Sequence, residues 1–493
     1  MNRLTASDIT AVYRPERCLR RIDCRRRGLS TAEPDPYAEV LMLLGRRHED
    51  AHRRMLEPVL DLSAGSISER IQATQNALRE GSDRIYQPVL VTEAPFASGL
   101  ELLGIPDFLL REQDGYVVRD CKISRRITEK DHPEILEQLD FYGWLLEANT
   151  GRAPVRQEVL AGDGTMHAVP YQKGSHAFDT LLRVENVLRN GLSTYEPVGW
   201  AKCQGCAYRG HCWIEAAERR DPSVLPDVDQ GMAVVLREMG IHDFRQLPER
   251  FDAGTLAELK KPRGNQMVRI GPKAAVSILR HAEALTNNRP VRLAPPAIPQ
   301  SDNCVMFDLE GLPPQMDELQ KIYLWGLQVF GARPGECRQA VADFGADGDR
   351  NGWTRFLDLA AAVFRDYGDI PFVHWATYER TNVTKYVERY GDRDGIAARV
   401  LANLCDLLKV TRDAYVLPTY SYSIKQIEGL AGYKRRLEES GGSWSIAQYI
   451  KAVETEDEQL RRDTMDKILV YNREDLEATW AVLGWLKGIQ AEG

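Results

Sequence analysis

The sequence predicts an α/β protein of two domains separated by a helical connector. Three observations carry that reading. Its 493 residues exceed what a single hydrophobic core organises. Strand-like runs cluster twice, at 88–123 and at 303–344, and each cluster leads into helical periodicity. Between them, residues 219–290 are polar and mainly helical, and they end in the proline-rich stretch Pro290–Pro299, which reads as a linker. Domain boundaries are expected at 1–218, 219–299 and 300–493.

In the first domain, residues 1–28, 37–58 and 66–80 read as helices. The runs 88–96, 101–111 and 115–123 read as strands, the last two joined at an Asp114-Gly115 turn. Residues 133–148 are periodic for a helix, and 155–170 for another hairpin. In the connector, Arg269-Ile270-Gly271-Pro272-Lys273 is faintly similar to a helix–hairpin–helix turn, whose backbone amides hold a phosphate; a plain helical connector is the simpler reading. In the last domain, strands at 303–309, 321–330 and 337–344 precede a helix at 352–367. A strand at 370–375 and a helix at 378–390 follow, and helices dominate from 394 on. Three strands, then helix–strand–helix, is the order of an RNase H-like fold.

A hydrophobic fraction of 43% and a charged fraction of 28% are those of an ordinary soluble chain. No apolar run reaches the roughly 18 residues that span a bilayer, and the N-terminal residues lack the apolar core of a signal peptide. A cytoplasmic protein without a membrane partner is the expectation. A net charge of −8 argues against a protein that coats nucleic acid, but not against a nuclease, whose metal sites consume carboxylates. Locally, Arg14, Arg17, Arg20, Arg21, Arg25, Arg26 and Arg27 form a basic run that reads either as a phosphate-neutralising strip or as a solvated helix face.

Hydrolysing a phosphodiester needs an activated water and a cation to stabilise developing charge, hence converging carboxylates with a lysine near the phosphate. The first domain offers Asp107 in Gly104-Ile105-Pro106-Asp107, and Asp120 with Lys122 on the next strand. Side chains two apart on a strand share a face. Gln138 and Tyr142, four apart, share a helix face. His48 can supply an imidazole ligand, although His52, one turn away, competes for that role.

This set resembles the PD-(D/E)XK nucleases of the RecB and AddB type. It is especially similar to the CRISPR-associated iron–sulfur exonucleases, over roughly residues 5–215. The resemblance implies metal ligands at His48, Asp107 and Asp120 and a catalytic lysine at Lys122. It implies that Gln138 and Tyr142 position substrate and lysine.

Nine cysteines in a cytoplasmic chain do not suggest disulfides. Cys203, Cys206 and Cys212 cluster and supply three soft ligands, with Cys18 as the fourth and Cys24 as its competitor. In the nucleases named above, one N-terminal and three C-terminal cysteines hold a [4Fe–4S] cluster, and the resemblance implies one here. Zn²⁺ stays open as the rival, because ligand spacing does not separate the two.

In the last domain, Asp308 and Glu310 lie on one face of a strand end, Glu379 follows a strand, and Tyr471 and Asp475 are four apart on a helix. Two carboxylates so placed can share a pair of divalent cations, and the tyrosine hydroxyl can orient a water. The order resembles the tyrosine-bearing DEDD exonucleases, over about 300–490. It implies metal ligands at Asp308, Glu310, Glu379 and Asp475, with Tyr471 catalytic and Asp406 in support. Glu379 stands where that family normally has Asp, which leaves open an RNase H fold kept as a scaffold.

The expected function is a Mg²⁺- or Mn²⁺-dependent exonuclease of single-stranded ends or flaps, in DNA processing or repair, with DNA favoured over RNA. No Gly-x4-Gly-Lys-Ser/Thr loop is present, so any motor comes from a helicase partner. The alternative is a nucleic-acid-binding adaptor with one or both sites inactive.

Overall fold

The computed structural model describes residues 3–13, 17–32, 36–113, 115–264, 266–313, 320–437 and 441–491; Arg14 and Asp114 fall outside them. These residues form two compact units, one built mainly from the chain up to Cys212, the other mainly from Trp213 onward.

In the first unit, helix α1 (Pro36–Met55) precedes a six-stranded sheet whose spatial order follows the sequence. Its strands are β1 (Leu60–Asp61), β2 (Arg84–Tyr86), β3 (Phe108–Glu112), β4 (Gly115–Cys121), β5 (Arg156–Leu160) and β6 (Met166–Val169). β3 and β4 pair antiparallel, and β5 returns parallel to β4 after helix α2 (Pro133–Thr150). Pro133 opens α2, where its missing N–H costs nothing, and left-handed Gly151 closes it. Along β4, Val117 packs with Phe108 and Leu110. Val118 turns the other way, onto the core that contains Leu139, Tyr142 and Leu145 of α2. By the period of two, Asp120 shares the face of Val118 and so looks toward α2.

The expected strand 101–111 is two strands in different sheets. Glu101–Gly104 lies between Arg3–Thr5 and Leu90–Glu93 in a three-stranded sheet, and β3 begins only at Phe108. Pro106 has no N–H to give a ladder, so the run breaks there. The expected helix 1–28 also breaks: Arg3–Thr5 is a strand paired parallel with Glu101–Leu103, and helices Ala6–Tyr13 and Arg20–Arg26 follow. That pairing is long-range, and local periodicity does not report it.

In the second unit, the segment expected as a connector supplies helix Gln230–Glu238, an antiparallel pair Lys260–Arg263 and Gln266–Arg269, and helix α3 (Pro272–Asn287). Val291–Arg292, inside the proline-rich stretch, pairs antiparallel with Tyr415–Val416. A five-stranded sheet follows: β7 (Asn303–Leu312), β8 (Lys321–Gly331), β9 (Arg338–Val341), β10 (Phe372–His374) and β11 (Leu404–Asp406), in the order β9-β8-β7-β10-β11. β7, β8 and β9 are antiparallel, and β10 and β11 continue parallel to β7. Helix α4 (Tyr378–Tyr390) follows β10, and α5 (Leu407–Ala414) follows β11. β11 was not expected, because three residues between two helices carry no period of their own.

β7 is covered on both faces. Val305, Phe307 and Leu309 pack with Trp325 and Phe356. Cys304 and Met306 pack with Leu476 and Val482 of the last helix, α6 (Glu458–Ala491). Asp308 and Glu310 continue this second face, which places both carboxylates opposite α6. No helix among the described residues is long and apolar enough to cross a membrane.

Candidate functional site

In the first unit, Asp107 sits in the bend before β3 rather than on the strand. Its Oδ2 accepts the Cys121 N–H at 2.7 Å, which ties the bend to the end of β4. Asp120 and Lys122 form an ion pair, with Asp120 buried. Burial, and then the Asp120 charge, hold the Asp107 carboxyl well above the usual carboxylate range. Burial alone would pull the Lys122 ammonium down, but Asp120 and Asp107 outweigh it and hold it above the ordinary lysine range. Gln138 Nε2 donates to the Tyr142 hydroxyl at 2.7 Å, and that buried tyrosine feels both Asp120 and Lys122. A Cβ at Gly104 would stand 2.5 Å from Leu145 and 2.7 Å from the Tyr142 ring, so the glycine lets α2 close on the motif.

The two histidines part company. His48 donates through Nε2 to the Leu160 carbonyl at 3.2 Å, and the Lys122 N–H donates to the same oxygen at 2.9 Å. His48 thus lies near the backbone of Lys122, and among the described residues it forms no three-membered metal-ligand group with Asp107 and Asp120. His52 accepts from Arg119 at 2.9 Å and meets the Phe108 ring edge-on. Burial, helped by Arg119 and His48, pulls the His52 ring down to about 4. Glu49, not expected from the sequence, contributes to the raised pKa of Asp107 and accepts from Gln87 Nε2 at 2.8 Å.

Among the thiols, Cys24 Sγ lies 3.7 Å from Cys212 Sγ. Cys203 and Cys206 share a turn, with the Cys206 N–H donating to the Cys203 carbonyl at 3.3 Å. Cys18 is half-buried, near Lys202 and Glu196. No group of three metal-binding thiols forms among the described residues. In the basic run, Arg25 pairs with Asp8 at 2.5 Å and Arg26 with Asp23 at 2.8 Å. Arg17 lies over the Tyr13 ring.

In the second unit, ligand oxygens of Asp308, Glu310 and Asp475 all fall within 4.8 Å of one another. Burial, and then Asp475, hold the carboxyls of Asp308 and Glu310 well above the usual range. Such crowding of buried acids is the condition that a bound cation relieves, so this donor set fits a divalent metal. Asn472 donates through Nδ2 to Asp308 Oδ2 at 2.7 Å, and Gln339 Nε2 donates to Asn472 Oδ1 at 2.9 Å. Gly326 pairs with Asp308 across β7 and β8, and a Cβ there would collide with Asn472.

Tyr471 is buried one turn before Asp475, and burial with the Asp475 and Glu310 charges holds its hydroxyl far above the usual tyrosine range. Glu379 lies in the first turn of α4, outside the three-acid group, and accepts from His374 Nδ1 at 3.1 Å. Burial raises its carboxyl and His374 opposes that. Its charge still acts on Asp308 and Glu310. Arg435, also not expected, donates to Asp475 at 2.5 Å and to Glu428 at 2.7 Å. Asp406 caps α5 by accepting the Lys409 N–H at 3.1 Å, and it accepts the Ala376 N–H at 3.2 Å.

Residues 17–213 match the sequence profile of the PD-(D/E)XK nuclease superfamily, and residues 305–487 that of the RNase H superfamily. No curated protein matches the chain. A solved structure titled "Crystal structure of SSO0001" aligns with 43% of this chain and 85% of its own, at 13% identity and a TM-score of 0.24, too distant to support an argument about fold. Nuclease domains of these kinds generally use divalent metals such as Mg²⁺. The chain therefore joins an N-terminal PD-(D/E)XK nuclease superfamily domain to a C-terminal RNase H superfamily domain.

Proposed function

We propose that the protein is a divalent-metal-dependent exonuclease of single-stranded ends or flaps, acting on DNA in preference to RNA, in DNA processing or repair. The observation that carries this is the trio of half-buried Asp308 with buried Glu310 and Asp475, whose ligand oxygens lie within 4.8 Å of one another. Mg²⁺ or Mn²⁺, when bound, would stabilise the charge developing on the phosphate and sharpen the attacking water.

In the C-terminal domain, Asp308, Glu310 and Asp475 hold the cation, Glu379 completes the acidic wall, and the Tyr471 hydroxyl orients the water. In the N-terminal domain, Asp107 and Asp120 are the ligands, with His48 beside them. Lys122 offers its ammonium to the phosphate, and Gln138 and Tyr142 keep that ammonium aimed. Cys203, Cys206 and Cys212 hold a [4Fe–4S] cluster, or Zn²⁺ in its place. Cys18 is the fourth thiolate by resemblance, while the approach of Cys24 to Cys212 supports Cys24 instead. A helicase partner would supply the single strand.

The test is an end-labelled oligonucleotide with Mn²⁺ or with EDTA, run beside a circular single strand. Metal-dependent shortening of the linear strand alone supports an exonuclease, cleavage of the circle shows endonuclease action, and no cleavage of either removes the enzymatic reading. A second reading has its own support. Glu379 is engaged by His374 and Asp475 by Arg435, which favours a C-terminal domain that binds nucleic acid without cutting it. Retained binding with no cleavage assigned to Asp308 would establish that reading.

A further inference from the structure

The second unit contains a cavity of about 850 Å³ that the proposed chemistry does not use. One wall is α3, which presents Lys273, Val276, Ser277 and Arg280 at helical spacing. The opposite wall is α5, which presents Leu408, Lys409 and Arg412. The floor is apolar, from Leu293, Tyr415 and Val416. Ala376 and Thr377 also line it, and Thr377 immediately precedes the helix whose first turn holds Glu379. The cavity lining thus comes within two residues of Glu379 in the chain.

Its charges suit a polyanion. Arg280–Glu283 and Lys409–Asp413 are surface pairs, which contribute little, while Arg412 pairs with the half-buried Asp227. Lys273 forms no ion pair among the described residues, and Asp406 spends its carboxylate on backbone amides. A second observation points independently to a ligand. Tyr415 is 3% exposed and lines the cavity, yet its hydroxyl has no hydrogen-bond partner among the described residues. A buried hydroxyl left so costs stability unless something else satisfies it. The neighbouring His281 is not available: its Nδ1 donates to the Ser277 carbonyl at 3.0 Å, and its Nε2 meets the Tyr422 hydroxyl at 3.1 Å.

We propose that this cavity is a subsite for single-stranded nucleic acid. It would seat the nucleotides next to the one being cleaved, with bases on the apolar floor and phosphates along the Lys273–Arg280 and Lys409–Arg412 edges. This rests on the reading of the Asp308 centre as a nuclease site. Cations flanking an aromatic and aliphatic floor are the pattern by which single strands are held without sequence readout.

The experiment uses the full chain with Asp120→Asn, so that the N-terminal acids do not cut the probe. A 12-nucleotide strand carrying 5-iodouracil is bound in Ca²⁺, irradiated, and its adducts are mapped by mass spectrometry. Adducts within 272–293 or 408–422, lost in K273E/R280E, are expected. In solution the same pair of substitutions should weaken binding of the strand by about tenfold and flatten its salt dependence. Tyr415→Phe should raise the melting temperature of the free protein while weakening binding by about threefold. Adducts confined to other segments, or K273E/R280E binding the strand as tightly as its parent, would overturn the proposal. Hydrolysis of the p-nitrophenyl ester of thymidine 5′-phosphate, which is too small to need the subsite, reports the Asp308 centre separately. If that hydrolysis is absent while the adducts appear, the catalytic reading fails and the subsite stands.

Discussion

Asn472 donates through Nδ2 to Asp308 Oδ2 at 2.7 Å, and it reaches there because residue 326, opposite Asp308 on β8, is glycine. One amide thus fixes the orientation of a carboxylate that the proposed chemistry depends on. Asn472→Ala is expected to lower the C-terminal activity by about 10- to 100-fold, as loss of an orienting partner does around metal ligands. Gly326→Ala should do the same by displacing Asn472, while leaving Asp308 itself intact. Steady-state kinetics with Mn²⁺ titration checks both, and an unchanged Mn²⁺ requirement in either variant would remove Asn472 from this role.

The crowded acids make a second prediction through stability. For an acid whose folded pKa is raised, the stabilising contribution is present below the ordinary carboxylate range and is lost as pH rises through the folded value. Glu310 is raised first by burial and then by Asp475. The metal-free protein should therefore lose stability as pH rises above the usual carboxylate range, and Mn²⁺ should restore it. Glu310→Gln should stabilise the metal-free protein by about 1–2 kcal/mol, flatten that pH dependence and abolish the Mn²⁺ effect. Thermal melts with and without EDTA across pH 5–8 report all three effects.

His52 gives a prediction of opposite sign. Burial, then Arg119 and His48, bring it to about 4, so it stays neutral in the fold while the unfolded chain takes up a proton near pH 6.5. Stability is complete above that value and is lost as pH falls toward about 4, on the order of 3 kcal/mol from this one ring. Denaturant melts of the parent and of His52→Gln at pH 7 and 4.5 should differ in their pH dependence by that amount. A parallel pH dependence in the two proteins would show that His52 titrates normally.

Much of this was legible in the sequence because it is local. β3 and β4 pair as neighbouring strands, α4 follows β10 at its expected residues, and Tyr471 and Asp475 stand one helical turn apart. The strand Arg3–Thr5 was not legible, because its partner Glu101–Leu103 lies almost a hundred residues away. Gly104-Ile105-Pro106-Asp107 was readable as a motif, but the break at Pro106 that puts Asp107 in a bend was not. Glu49, Asn472 and Arg435 escaped notice for another reason: each is an ordinary polar residue whose role exists only once a distant carboxylate is folded against it. Glu379 was found by order along the chain, and its bond to His374 could not be.

The thiols make a prediction about composition. Protein purified without oxygen should be brown and should carry iron, and Cys212→Ser should lose both the colour and most of the iron. Comparing Cys18→Ser with Cys24→Ser identifies the fourth ligand, since only the true ligand should empty the site. Colourless parent protein with one equivalent of zinc would assign Zn²⁺ in place of the cluster.

Each domain is proposed to contain its own cation-binding acids. The most direct test follows an end-labelled single strand in Mn²⁺ with four proteins: the parent, Asp120→Asn, Asp308→Asn and the double variant. Each single variant should keep part of the parent's cleavage with its own product pattern, and the double variant should keep none. A double variant that cuts as fast as the parent would contradict the account.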